Sequence, residues 1–148
     1  MFNSCYEGKK VLITGHTGFK GSWLSLWLKQ LGAKVYGASI EVLSDPSHFD
    51  AIKLGAHIED FRLDIRDSQA VKKLVVDIQP DFVFHLAAQA LVRLSYVNPL
   101  ETITTNAIGT LNILDALRVQ GRPVVAVVIT SDKAYDNVEW VWGYREND

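Results

Sequence analysis

Residues 10–22 read Lys10-Val-Leu-Ile-Thr14-Gly15-His16-Thr17-Gly18-Phe19-Lys20-Gly21-Ser22, an apolar run of strand length followed at once by glycines at every third position. The next segment, 22–31, has a helical period, so the glycines occupy a turn between a strand and a helix. Glycine lets the backbone turn tightly and approach a ligand closely, and a helix N-terminus offers unpaired N–H groups carrying a partial positive charge. A pyrophosphate fits such a cradle, and the turn reads as a dinucleotide-binding loop. Its spacing differs by one residue from the more widespread G-x-G-x-x-G fingerprint.

Working outward, apolar runs of strand length keep alternating with longer segments of helical period. Residues 34–39, 57–63, 81–86 and 124–130 read as further strands, and 68–78 and 100–119 as helices. Ser44-Asp-Pro-Ser47 reads as a turn leading into a short helix over 48–54. In the first helix Ser22, Ser25 and Lys29 fall on one polar stripe, so the apolar remainder, with Trp23 and Trp27, is expected to be buried. His16 is expected in solvent. The nearly unbroken aliphatic strands predict a parallel sheet covered on both faces by helices.

The chain has 148 residues, 48% hydrophobic and 22% charged, which suits one globular domain and excludes disorder as a class. One cysteine, Cys5, cannot form an internal disulfide, and the first residues lack a basic, apolar signal; a cytoplasmic location is expected. No aliphatic stretch approaches the roughly 20 residues that span a bilayer, so no membrane partner is expected. A net charge of −2 with scattered basic residues argues against a nucleic-acid surface. His48, His57 and His85 share no ligand spacing and have no partner cysteines, so no metal site is expected.

Val11-Leu-Ile-Thr-Gly-His-Thr-Gly-Phe-Lys-Gly-Ser22 resembles the cofactor loop of the extended short-chain dehydrogenase/reductases, the group of NAD-dependent epimerases and dehydratases. The resemblance continues through Asp64-Ile65, His85-Leu-Ala-Ala-Gln89, Thr105-Asn-Ala-Ile-Gly-Thr-Leu-Asn-Ile-Leu114 and Ile129-Thr-Ser-Asp-Lys-Ala-Tyr135. Within that family the chain is most similar to the CDP-glucose 4,6-dehydratase branch, which Glu139-Trp-Val-Trp-Gly-Tyr-Arg-Glu146 also resembles. The rhythm and the resemblance together predict an α/β, Rossmann-like doubly wound parallel sheet of five strands in the order 3-2-1-4-5. A two-fold set of such units continues with a sixth strand. Residues 1–148 are therefore expected to be an incomplete NAD(P)-binding domain, truncated before that strand and without the carboxy-terminal substrate domain.

The resemblance implies that Gly15, Thr17, Gly18, Phe19 and Gly21 surround the pyrophosphate. It implies that Asp64 and Ile65 flank the adenine, that Leu86, Ala87 and Ala88 line the path to the nicotinamide, and that Thr105 belongs to the same cofactor set. A turn or helix-capping role for Asp64 is the rival reading. The end of the second strand usually carries an acid for the ribose 2′-hydroxyl of NAD, or has an arginine nearby for NADP. Here it carries Ser39, a candidate cofactor contact; the family implies NAD, and NADP is left open.

Ser131-Asp132-Lys133 follow the fifth strand. By resemblance Ser131 hydrogen-bonds the sugar 4-hydroxyl, Asp132 protonates the leaving 6-hydroxyl and Lys133 acts as base. The implied substrate is CDP-glucose; the implied reaction oxidises C4, eliminates water across C5 and C6, and returns hydride to C6. The family's Tyr-x-x-x-Lys is expected beyond the fifth strand, yet only Tyr6 and Lys10 have that spacing, and both precede the first strand. The 148 residues are thus expected to bind a dinucleotide without turnover. Another sugar-nucleotide dehydratase or epimerase, or a non-catalytic nucleotide-binding module, stays open, and so does a homodimer.

Overall fold

The computed structural model describes residues 2–131, 134–136 and 138–147. Five parallel strands, β1 (Lys10–Thr14), β2 (Lys34–Ser39), β3 (Glu59–Arg62), β4 (Phe82–His85) and β5 (Val125–Val128), form one sheet in the order β3-β2-β1-β4-β5. The expected architecture and strand order are both present. The helices are α1 (Phe19–Gln30), α2 (His48–Ala51), α3 (Ser68–Ile78), α4 (Val92–Val97), α5 (Pro99–Ile103) and α6 (Gly109–Gln120).

Successive residues of a strand point to opposite faces, and β1 divides the core accordingly. Val11 and Ile13 pack with Val35 and with Leu28 of α1, while Leu12 packs with Ala38, Val83 and the buried residues of α3 and α6. Fully burying a side chain of this size contributes about 1.5–3 kcal/mol, so β1, buried on both faces, anchors both layers. Asp67 caps α3 by accepting from the N–H groups of Gln69 and Ala70, each at 3.0 Å. The expected long helix is a nearly continuous path from Pro99 to Gln120, with a π-helical turn at Thr104–Ile108. The sequence reading did not anticipate α4.

Three expectations about burial are reversed. In α1 the buried residues are Gly21, Ser22, Ser25 and Leu28, whereas Trp23 and Trp27 are 51% and 46% exposed. Small residues let the helix approach the sheet closely, and the serines satisfy their hydroxyls on their own helix. Ser25 Oγ donates to the Gly21 carbonyl at 2.7 Å, and Ser22 Oγ to that of Phe19 at 3.0 Å. Trp23 instead stacks on His48, with ring centroids 4.0 Å apart. The second reversal is β5, whose residues Val125 and Val127 are exposed; no described helix covers that face of the edge strand.

The third reversal is His16, which is fully buried. Its ring lies against Gly37 of β2, where an added Cβ would stand 2.3 Å from the imidazole. Nε2 lies 3.0 Å from Asp60 Oδ1 and Nδ1 3.0 Å from Ser39 Oγ. A carboxylate only accepts, so Nε2 carries the proton and Nδ1 accepts from Ser39. His85, at the end of β4, is 2% exposed and sits between two threonine hydroxyls. Burial pushes both imidazoles below their ordinary value; for His16 the neighbouring Asp60 opposes this in part.

Two measurements follow from this packing. A Cβ at Gly21 would lie 2.1 Å from the Gly15 carbonyl oxygen, whereas one at Gly143 meets nothing within 4 Å. Gly21→Ala is expected to cost about 1–3 kcal/mol in urea denaturation, and Gly143→Ala to leave the midpoint unchanged; equal midpoints would show that the start of α1 yields freely. The histidines make stability depend on pH. The unfolded chain protonates them near pH 6.5, above the folded state. Their contribution is therefore complete above about pH 6.5 and is lost as pH falls below it, at up to about 1.4 kcal/mol per pH unit for each histidine. The urea midpoint should drop between pH 7.5 and 5.5, and a flat profile would contradict the buried neutral assignment.

Candidate functional site

In an open α/β sheet, the loops leaving the carboxyl ends of neighbouring strands diverge where the strand order reverses, and they leave a crevice there. In this sheet the reversal lies between β1 and β4. Gly15, at φ +76°, starts the turn out of β1, donating its N–H to the Ala38 carbonyl at 2.8 Å. A side chain at Gly15 would stand 2.8 Å from Ala87 N, so the β1 and β4 loops touch at this point. The turn closes with Gly18 N–H donating to the Gly15 carbonyl at 3.1 Å and Ser22 N–H to that of Gly18 at 2.9 Å. Gly18 is the N-cap of α1 and has no side chain to cap it, which leaves the leading N–H groups and the positive end of the helix dipole for an anion.

The structure brings together most of the residues that the sequence marks around this crevice. Gly15 and Gly21 are in contact beneath it, Gly18 and Phe19 are exposed at its mouth, and Phe19 is 74% exposed. Thr17 is buried and points away from solvent, its Oγ1 donating to the Glu41 carbonyl at 2.7 Å. Ser39 is also occupied from within: its hydroxyl donates to His16 Nδ1, and its oxygen accepts from Thr17 N–H at 3.4 Å. The β2 end is thus bound to the glycine turn through a side chain.

On the β4 side, Leu86 and Ala87 are half-buried and Ala88 is exposed. Leu86 N–H and Ala87 N–H donate to Thr14 Oγ1 at 3.2 and 3.1 Å. Gln89 is clasped by Asn106 of the π turn, whose Oδ1 accepts from Gln89 N–H at 2.8 Å and whose Nδ2 donates to the Gln89 carbonyl at 3.0 Å. Thr105, next to Asn106, is half-buried. The sequence reading did not mark Thr14, His85, Asn106 or Thr110 as partners. Their signal was a threonine and a histidine ending two adjacent apolar strands, and the four-residue spacing of Asn106 and Thr110 on one helix path.

Asp64 performs the turn role that rivalled adenine contact. Its Oδ1 accepts from Arg66 N–H at 2.8 Å, and the Arg66 side chain, hydrogen-bonded to the carboxylate at 2.6–3.0 Å, holds it below the usual carboxylate range. Ile65 is 3% exposed with its side chain packed under Gly109, so its main chain is what it can offer to a ligand. Ser131 is exposed beyond β5; Asp132 and Lys133 lie outside the described residues. Among the described residues, no group of three His, Cys, Asp or Glu side chains is placed to hold a metal, and no helix is long and apolar enough to cross a membrane.

Known proteins are similar to this chain in sequence and fold. A CDP-glucose 4,6-dehydratase of Salmonella typhimurium is 50% identical over 143 residues, covering 97% of this chain and 40% of that protein. A GDP-mannose 4,6-dehydratase of Yersinia enterocolitica is 35% identical, over 76% of this chain and 32% of its own length. Among solved structures, an epimerase of Methanothermobacter thermautotrophicus is 31% identical with a TM-score of 0.82, covering 98% of this chain and 42% of that one. A UDP-glucose 4-epimerase of Thermus thermophilus, in complex with NAD, is 32% identical with a TM-score of 0.66, covering 76% and 34%. The chain thus spans about two fifths or less of the length of these relatives. The family model described as GDP-mannose 4,6 dehydratase matches residues 12–147, nearly the whole of the sheet and its turns, and the chain belongs to that family.

Proposed function

We propose that this chain is the dinucleotide-binding part of a CDP-glucose 4,6-dehydratase that uses NAD. The 50% identity to the Salmonella dehydratase across 97% of the chain carries this reading. The residues present fit the cofactor. Without Cβ atoms at Gly15 and Gly21 the backbone closes into a cradle, and Gly18 leaves the helix N-terminus open above it. The backbone of Gly15, Thr17, Gly18, Phe19 and Gly21 would hold the pyrophosphate, residues 64–65 the adenine side, and Leu86, Ala87, Ala88 and Thr105 the nicotinamide side. The β2 end supports NAD over NADP. Arg62, paired in register with Ser39, has its guanidinium on Asp60 at 2.8 Å and over the Phe49 ring.

When bound, NAD would supply the redox chemistry, as acceptor and then donor of the hydride exchanged with the sugar. The chain's own residues serve the sugar from the edge beyond β5. Ser131 would hold the 4-hydroxyl, Asp132 would protonate the departing 6-hydroxyl, and Lys133 would take the C5 proton, which the C4 ketone acidifies. Lysine is ordinarily protonated up to a pH of about 10.4, so Lys133 needs burial or a neighbouring cation to act as base. A homodimer of the complete protein is supported by the exposed aliphatic residues Leu100, Ile103, Leu111 and Leu114 along α5 and α6.

Calorimetric titration tests the cofactor half: NAD binds and NADP binds more weakly, and absence of NAD binding overturns the reading. These 148 residues, lacking a Tyr-x-x-x-Lys beyond β5, are expected to form no 4-keto-6-deoxy product. A longer protein that begins with them and supplies that pair should convert CDP-glucose in preference to the dTDP-, GDP- and UDP-sugars. Preference for another nucleotide, or epimerisation, would assign a different member of the family.

A further inference from the structure

Two elements meet the His85 side chain, β1 through Thr14 and α6 through Thr110. Thr14 Oγ1 lies 2.6 Å from its Nδ1, and Thr110 Oγ1 lies 2.9 Å from its Nε2. The direction of every proton in this chain of contacts is fixed by its ends. Thr14 Oγ1 accepts from Ala87 N–H and from Leu86 N–H, the latter shared with the Thr14 carbonyl at 3.1 Å, which uses both of its lone pairs. Its own proton must go to His85 Nδ1. Nδ1 is therefore the bare nitrogen, and Nε2 carries the hydrogen that Thr110 Oγ1 accepts. Thr110 in turn donates to the Asn106 carbonyl at 2.6 Å. Asn106 clasps Gln89. The segment 86–89 is thereby held at its start through Thr14 and at its end through Asn106, with His85 connecting the two.

We infer that His85 is a positioning residue: in the neutral form with hydrogen on Nε2, it lets Thr14 hold the main chain of Leu86 and Ala87 against Gly15, in the place required for the dinucleotide. The inference rests on the cofactor reading above. The device has two arrangements. With the hydrogen on Nδ1, two donors would meet at Thr14 Oγ1, which has no lone pair left; Leu86 N–H keeps the Thr14 carbonyl at 3.1 Å, so either the shared Leu86 bond to the hydroxyl or the Ala87 bond must be given up. Thr110 selects the productive arrangement because it offers an acceptor only to Nε2–H. It does so from α6, without touching Leu86, Ala87 or the glycine turn through any of these bonds. A buried imidazole with no acceptor at Nε2 would favour the other tautomer, since an unpaired buried donor is costly.

The test uses Thr110→Val, which keeps shape and removes the hydroxyl, and Thr110→Ser, which keeps the hydroxyl. Histidine ¹⁵N spectra of the unliganded wild type should show His85 neutral with hydrogen on Nε2; hydrogen on Nδ1 overturns the inference whatever the variants do. Circular dichroism checks that the variants fold. NAD titration should then give about tenfold weaker binding for Thr110→Val, together with a changed His85 spectrum, and wild-type behaviour for Thr110→Ser. Unchanged affinity in Thr110→Val, or equal losses in both variants, overturns the positioning role while leaving the cofactor reading intact. If the wild type itself fails to bind NAD, the cofactor reading falls, and the inference with it.

Discussion

The carbonyl oxygen of Gly15 stands 2.1 Å from where a side chain at Gly21 would begin, and the Ala87 nitrogen stands 2.8 Å from where one at Gly15 would begin. No amino acid but glycine fits these two positions without displacing backbone, and the surrounding structure depends on that closeness. It draws the first turn of α1 down onto the end of β1. The buried face of the helix must then be made of small residues, so Ser22 and Ser25 lie inside and Trp23 and Trp27 outside. It also brings the β4 loop into contact with the β1 turn, which makes one cradle from two loops.

A second regularity is that the polar side chains beneath this cradle serve one another. His16, Ser39 and Asp60 form one set, and Thr14, His85 and Thr110 another. In each set an imidazole held neutral by burial fixes the direction of its neighbours' protons. An unsatisfied polar group in such a place would cost about 1–3 kcal/mol, so both sets belong to the fold as much as to any ligand. Their effect is to hold main chain: Ser39 holds Thr17, and Thr14 holds Leu86 and Ala87.

The strands, their order and the glycine turn were legible in the sequence because period-two and period-3.6 patterning report directly on which faces are buried. Lys10–Thr14, Lys34–Ser39 and Ser68–Ile78 have the ends expected of them. The sequence misled where burial was set by closeness rather than by apolarity. Serine counts as polar on any hydropathy scale, yet Ser25 is buried because it is small and bonds its own helix. His16 lies in a turn, where solvent is the ordinary expectation, and is buried because Gly37 on the neighbouring strand leaves room for a ring. For β5 the patterning anticipated two covers, but Val125, Ala126 and Val127 are all exposed, and only Val124, just before the strand, packs on the core among the described residues. Of the candidate site, the main-chain cradle was legible from its glycines. The partners that hold it were not, because Thr14 meets His85 across 71 residues of sequence and only the sheet register reveals the pair.

A cradle made of main chain has a consequence for the relatives. Backbone N–H groups in a glycine turn recognise the charge of a pyrophosphate, and nothing in that recognition refers to a sugar. The requirements are glycine spacing and buried hydrogen-bond partners, neither of which depends on the sugar, and the solved epimerases with TM-scores of 0.82 and 0.66 share the fold that supplies them here. Under the proposed function, discrimination among sugars falls to side chains at the open edge. In this chain that edge leads from Ser131 into a segment where Tyr135 stacks on Tyr144 and Trp140 stacks on the same ring from 5.9 Å. Substitutions of aromatic faces and hydroxyls in that segment leave the sheet intact, since among the described residues no strand or helix of the core passes through it. The fold thus separates a part fixed by steric necessity, the glycine turn and the loops it touches, from an edge segment on which the sheet does not depend.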